Sequence, residues 1–280
     1  MKEQAVQFGE QNRLHGVMTL PEHESNPDCV LILVSAGLTT KSGPYGLYTQ
    51  LAREVADIGV STLRFDLGGL GNSEILHADA TLLDRTHWDL EAAVNFLEST
   101  FGTQRCLLCG LCSGAEDSFR YADEDPRVKG VVLIDPHAYR TKRWQWFSIF
   151  SRHFLNRVAI KALKVIGLHP QRRHQDAETE MRIEGVDFKL VNYQYMALQE
   201  ASAILERLLE REVSIYYIYT GGQIENFNHE NQFYDMFRHV PNCRKVTVSH
   251  CPSLRHTQML EEDRQLLITL IRDWIGNAVA

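Results

Sequence analysis

The strongest constraint on the fold is a set of short apolar runs that do not alternate with polar residues. Residues 29–35 (CVLILVS), 60–65 (VSTLRF), 105–110 (RCLLCG) and 128–134 (VKGVVLI) are dominated by aliphatic and β-branched side chains. Side chains along a strand point alternately to the two sides of a sheet, so a strand that is apolar at consecutive positions buries both faces. Between these runs lie segments with helical spacing, such as Leu47, Leu51, Val55 and Ile58 within residues 44–58. Further helices are expected over 81–99 and from Ser113 onward. Strand–helix alternation of this kind predicts an α/β chain with a doubly wound, mostly parallel sheet covered on both sides.

The same pattern frames the rest of the chain. Residues 5–8 and 14–20 flank the turn-prone GEQN and predict an amino-terminal hairpin. Strands are expected at 213–219 (VSIYYIY) and 245–249 (KVTVS), with helices near 231–239 and over 259–275. One interval breaks the rhythm. Residues 136–210 separate two strands by far more chain than an ordinary connection needs, and they read as a mostly helical cap inserted late in the sheet. The expected division is a core of residues 1–135 and 211–280 and an insertion of residues 136–210.

With 280 residues and 44% hydrophobic composition the chain can bury one large core. Its net charge of −7 argues against nucleic acid as a partner. The amino-terminal residues lack the apolar stretch of a secretory signal, and no apolar run approaches the length of a membrane span. A soluble, cytoplasmic protein with no cofactor and six free thiols is expected.

Three of those thiols recur at every third position in CLLCGLCSGA, residues 106–115. The spacing is how a bacterial iron–sulfur run begins, but position 116 is Glu116 where such a run has its fourth cysteine. Cys106 and Cys109 also fall in a predicted strand, where residues three apart face opposite sides and cannot share an ion. No metal is therefore expected. The glycines offer a different reading. Gly110-Leu111-Cys112-Ser113-Gly114 follows a strand and opens a helix, the context of the G-x-S-x-G nucleophile elbow with cysteine at its centre. The bend is so tight that the residues two before and two after the nucleophile must be glycine, which selects Cys112 over Ser113. A helix N-terminus beneath the thiol favours thiolate, and the Ser113 N–H is placed to meet a developing oxyanion. Cys106 and Cys109 read as small buried core residues.

The segments SAGLTTKSGPYGLYTQLAREVADIGVSTLRFDLGGLGNSE, LCGLCSGA and LRHTQM together resemble the α/β-hydrolase fold. The resemblance is to its serine-aminopeptidase-like and exosortase-associated hydrolase branch, whose members include cysteine-elbow forms, and it covers nearly all of the chain outside the cap. It implies a triad in the chain order nucleophile, acid, histidine. His256, past the last strand and before the final helix, takes the place of the base, while His250 reads as a loop histidine. For the acid, TGGQIENFN offers Glu225 where the family usually has aspartate, and Asp135 at the end of the preceding strand is the alternative; Glu225 is favoured. The second oxyanion donor maps to the N–H of Leu38. Asp66 with Gly68, Gly69 and Gly71 in FDLGGLGNS reads as the brace of a tight loop beside the site.

The insertion carries a local charge asymmetry. Between positions 137 and 175 there are nine Lys or Arg residues, among them Arg140, Lys142, Arg143, Arg152 and Arg157, and no Asp or Glu. Aromatic residues Trp144, Trp146, Phe147, Phe150 and Phe154 are interleaved with them. Such a segment is a solvated cationic face over the pocket, or a docking face for an anionic partner, or a contact with a membrane surface. A carrier protein bearing an acyl-phosphopantetheine thioester fits both the basic cap and the thiol nucleophile. The expected function is thus an acyltransferase or thioesterase acting through a covalent acyl-thioester on Cys112. The alternatives are a general ester or amide hydrolase and a non-catalytic small-ligand-binding protein of the same fold.

Overall fold

The computed structural model describes residues 1–22, 29–150, 195–221, 226–256 and 260–279. Its centre is an eight-stranded sheet. In chain order the strands are β1 (Lys2–Phe8), β2 (Leu14–Leu20), β3 (Cys29–Val34), β4 (Ser61–Phe65), β5 (Arg105–Leu111), β6 (Val128–Ile134), β7 (Ser214–Thr220) and β8 (Thr247–Cys251). Across the sheet they run β1-β2-β4-β3-β5-β6-β7-β8. The expected hairpin is the antiparallel pair β1–β2, and β2 meets β4 antiparallel. From β4 to β8 every pairing is parallel. This is the α/β-hydrolase arrangement that the sequence led us to expect.

The helices are α1 (Leu47–Asp57), α2 (Leu82–Phe101), α3 (Ser113–Glu124), α4 (Lys142–Phe150), α5 (Leu198–Glu210), α6 (Gln232–Met236) and α7 (Glu261–Val279). The unbroken apolar strands feed two cores, one on each side of the sheet. Val30, Ile32 and Val34 of β3 pack with Leu90 and Val94 of α2, Ala115 and Phe119 of α3, and Leu205 and Leu208 of α5. Leu31 and Leu33 of the same strand pack on the other side with Leu51 and Val55 of α1 and Leu267 and Ile271 of α7.

The element boundaries have local causes. Thr81 caps α2 by accepting the Asp84 N–H at 3.1 Å, and Gly102 ends it in a left-handed conformation that glycine adopts freely. The helix expected from position 44 starts later, because Tyr45 and Gly46 take positive φ and only Leu47 enters the regular turn. Over 231–239 the helix is reduced to α6, and β8 starts two residues late after a tight turn at Cys243–Lys245 that opens on left-handed Asn242.

Helix α5 lies within the expected insertion and packs on the core. A cap boundary at residue 210 includes it, yet its face of Ala201, Ile204, Leu205, Leu208 and Leu209 is buried in the sheet-facing core. Its amphipathic spacing marks a helix, but not the surface that covers it. Residues 151–194, and with them Arg152 and Arg157, lie outside the described residues.

Candidate active site

In an open parallel sheet, sites form beyond the carboxyl ends of the strands, where loops from neighbouring strands converge. Here the loop after β3 and the junctions following β5, β6, β7 and β8 all end on that edge. The sharpest junction is the one after β5. Cys112 sits between strand and helix at φ 54° and ψ −117°, a conformation that L-residues avoid unless their surroundings impose it. Its N–H donates to the Ile134 carbonyl at 2.8 Å, and its own carbonyl accepts from the Ala115 N–H at 3.1 Å as α3 begins.

The flanking glycines are required by contact. A Cβ on Gly110 would lie 2.1 Å from the Gly114 carbonyl oxygen, and one on Gly114 would lie 2.6 Å from the Val34 carbonyl oxygen. The strand, the helix start and the end of β3 therefore touch through bare backbone. Tyr48 of α1 locks the same junction, since its buried hydroxyl donates to the Val34 carbonyl at 2.8 Å and accepts the Leu111 N–H at 3.1 Å. Neither the tyrosine nor its spacing from the elbow carries a sequence signal, because the two segments meet only in the folded sheet.

Cys106 and Cys109 lie in opposite cores on the two sides of β5. Burial pushes the Cys106 thiol up to about 12 and the Cys109 thiol further up, so both are held as neutral core thiols. Cys112 is half-buried at the sheet's edge.

His256 arrives on the loop after β8. That loop is pinned where the Gly221 N–H donates to the Leu254 carbonyl at 2.8 Å, and a Cβ on Gly221 would lie 2.1 Å from the Pro252 carbonyl oxygen. From the other side, the Arg255 N–H donates to Asp263 of α7 at 3.3 Å. The imidazole then has two side-chain partners. Its Nδ1 is 2.7 Å from Asp135 Oδ2, and it also hydrogen-bonds the Cys112 side chain. The bond to Asp135, followed by the one to Cys112, raises the imidazole to about 10 against the opposing effect of burial. His250 lies within β8 rather than in a loop and sets its ring edge-on to Phe227 at 5.2 Å.

Asp135 follows β6 directly, at φ 47°, and is 1% exposed. Its carboxylate accepts the Thr220 N–H at 2.6 Å on one oxygen and the Thr220 hydroxyl at 2.6 Å on the other, the oxygen that also meets His256. Three hydrogen bonds thus meet a buried carboxylate, which compensates its lost hydration. Glu225, the favoured acid in the sequence, lies outside the described residues. Thr220 was not foreseen, since a threonine ending a strand has no distinguishing pattern.

The loop after β3 approaches the elbow from the other side. It turns tightly, with the Thr39 N–H donating to the Ala36 carbonyl at 2.9 Å, and the Gly37 N–H donates to the Ser113 hydroxyl at 3.0 Å. Leu38 lies on this turn with its side chain outward, 71% exposed. Asp66, fully buried, accepts the Lys41 N–H at 2.6 Å and the Asn72 N–H at 3.3 Å and pairs with the Lys41 ammonium. Gly71 approaches it so closely that a Cβ would lie 2.3 Å from Asp66 Oδ2. The FDLGGLGNS segment therefore ties its own turn to the loop that carries Leu38.

By fold, 99% of the chain superposes on an esterase from Pyrococcus furiosus at 14% identity, covering 91% of that chain with a TM-score of 0.63. An α/β hydrolase from Penicillium sp. sh18 matches at 13% identity over 99% of both chains, with a TM-score of 0.63. An α/β serine hydrolase without lid from Xanthomonas campestris matches at 15% identity over 99% of this chain and 94% of its own, with a TM-score of 0.58. These likenesses concern the fold. No curated protein matches the chain in sequence. The model of the serine aminopeptidase S33 hydrolase family matches residues 27–263. With the elbow, the late histidine and the sheet order all in place, the chain belongs to that serine aminopeptidase S33 family of α/β hydrolases.

Proposed function

We propose that the protein is an acyl-transfer enzyme that forms a covalent thioester on Cys112, with His256 as the proton carrier and Asp135 as the acid that orients it. The observation that carries this reading is the bridging position of His256, bonded to the Asp135 carboxylate on one side and to the Cys112 side chain on the other. Family membership supports hydrolytic acyl chemistry in general. The cysteine narrows it to substrates for which a thiol is the suitable nucleophile.

The Cys112 thiol passes its proton to His256, its sulfur attacks an acyl carbonyl carbon, and the carbonyl π pair moves onto oxygen. The N–H groups of Ser113, at the head of α3, and Leu38, on the turn held by Ser113 Oγ, are the donors assigned to that oxyanion. Collapse of the intermediate breaks the bond to the leaving group, which takes a proton from His256. Asp135 occupies Nδ1, so Nε2 is the nitrogen that serves the sulfur and the leaving group. Water or an acceptor thiol or amine then gives its proton to His256 and attacks the acyl-Cys112 carbonyl, and the departing Cys112 sulfur recovers that proton from His256. Exchange between thioesters keeps the acyl potential, which favours thioester substrates over oxyesters.

The partner we assign is an acidic carrier protein presenting an acyl thioester. Arg140, Lys142 and Arg143 are exposed at the start of the insertion, and the guanidinium of Arg140 lies 4.7 Å over the Trp144 ring. Trp146 is 66% exposed beside them. Cations backed by exposed aromatics suit an anionic protein surface.

Intact-mass analysis after mixing with acyl-thioesters tests this function. An adduct on the native chain that is absent in Cys112→Ala supports it, and capture of that adduct by a carrier thiol separates transfer from hydrolysis. Turnover of esters or amides with no trapped adduct would leave the general hydrolase. No labelling of Cys112 by iodoacetamide, together with no turnover, would leave a ligand-binding protein.

A further inference from the structure

One turn beyond the elbow, α3 buries a carboxylate that the proposed reaction does not use. Glu116 is 4% exposed, and its N–H bonds the Cys112 carbonyl at 3.3 Å. Helical side chains lean toward the amino-terminal end, so this one leans back toward Cys112. Its carboxylate joins the two ends of the insertion. Oε2 accepts the Met196 N–H at 3.3 Å, and the backbone of His137 also donates to the group. Tyr139 reinforces the junction by donating its hydroxyl to the Met196 carbonyl at 2.7 Å.

The second oxygen is different. Oε1 is buried with no hydrogen-bond partner among the described residues. Leaving a buried carboxylate oxygen unbonded is costly, and such exceptions call for an explanation. Burial, the largest influence, lifts Glu116 to about 7, against the opposing effects of the Met196 and His137 N–H groups and Arg120 and with a smaller upward push from Asp117. Arg120, one turn further along α3, is engaged with Glu200.

Glu116 lines a cavity of about 20 Å³ together with His137, Tyr139, Met196 and Phe237, among others, enough for one small polar group. His137 stacks on Tyr195 at 4.6 Å, and the Tyr195 phenol lies within the electrostatic reach of both Cys112 and Glu116.

We propose that Glu116 is the specificity-determining residue of the acyl pocket, its unbonded oxygen receiving an N–H or O–H donor carried by the acyl chain. The enzyme then prefers amino- or hydroxy-substituted acyl groups to plain alkanoyl groups. This rests on the acyl-Cys112 reading above. An ammonium suits the site best, because it pairs with the carboxylate as well as bonding it.

The test measures the rate of Cys112 acylation by intact mass, using N-acetylcysteamine thioesters of matched size: propionyl, lactoyl and alanyl, with 3-hydroxypropionyl and β-alanyl for the next carbon. Wild type should acylate faster with at least one substituted member than with propionyl, by about tenfold or more. In Glu116→Gln the amino preference should fall toward unity and the hydroxy preference should fall less, while in Glu116→Leu propionyl should become the preferred member. Iodoacetamide labelling of Cys112 checks that each variant retains its elbow. Equal wild-type rates across the series, or variants that slow every member in proportion, would overturn the inference and leave the acyl-enzyme intact. Absence of any adduct in any form would reject the acyl-enzyme itself, and this inference with it.

Discussion

His256 Nδ1 lies 2.7 Å from Asp135 Oδ2, although 121 positions separate the two residues in the chain. The pairing assigns the acid of the proposed triad to the end of β6. Replacing Asp135 with Asn keeps the shape but offers an amide to the ring nitrogen, which favours the wrong tautomer. Turnover should fall by roughly 10²- to 10⁴-fold. Glu225→Gln should stay near the wild-type rate. Steady-state assays of the two variants decide between the acids, and the reverse ranking would move the role to Glu225.

The raised imidazole also links stability to pH. A histidine held at about 10 in the folded chain, against about 6.5 unfolded, stabilises the fold fully below 6.5, and the contribution is lost as pH rises through 10. The Tm gap between wild type and His256→Asn should therefore be widest near pH 6 and narrow steadily toward pH 10. A gap that is constant over that range would contradict the Asp135–His256–Cys112 arrangement.

Cys112→Ser should fold with the wild-type Tm and lose most turnover, because the hydroxyl is a far weaker nucleophile at neutral pH beside a base matched to a thiol. Thermal melts and thioester turnover measured on the same preparation check both halves. A serine variant with wild-type turnover would show that the reaction does not depend on sulfur.

Gly110→Ala should be the most damaging small substitution at the elbow. Its methyl would lie 2.1 Å from the Gly114 carbonyl oxygen, and its nearest neighbours are all Gly114–Ala115 backbone, with no flexible side chain to yield. A loss of about 3 kcal/mol or more is expected in urea unfolding. Gly102→Ala, whose added methyl would meet nothing within 4 Å but whose φ is 70°, should lose only about 1 kcal/mol.

Tyr48→Phe removes the hydroxyl that joins Val34 to Leu111 and leaves a buried N–H without that acceptor. A loss of about 1–3 kcal/mol is expected. Because the bond anchors the residue before Cys112, acylation should slow as well, measurable by adduct formation under conditions where the variant is fully folded.

Much of the architecture is legible in the linear chain, for reasons that are local. Doubly buried strands must be apolar at successive positions, so β3 and β5 could be read without knowing their neighbours. The elbow is legible because two backbones pass too closely for a Cβ, and Gly110 and Gly114 record that contact in the sequence. His256 was singled out by its position after the last strand, where the resemblance implies the base. The acid was harder, because a triad acid can follow either β6 or β7, and the family's usual spacing after β7 favoured Glu225 over Asp135, which lies against His256. The role of α5 was hidden for a related reason: an amphipathic helix announces that it has a covered face, while the covering surface belongs to another part of the chain.

The sequence by itself determined the layered sheet, the sharp turn at Cys112 and the identity of the residues able to carry a proton, since each follows from side-chain period, steric room or chemical type. Only the tertiary structure decided which of these groups touch. It set Thr220 and His256 on Asp135, the Tyr48 hydroxyl between two strands, and Glu116 between the ends of the insertion. Such contacts join positions far apart in the chain, and their energies depend on distance and burial, which arise only when the sheet has assembled.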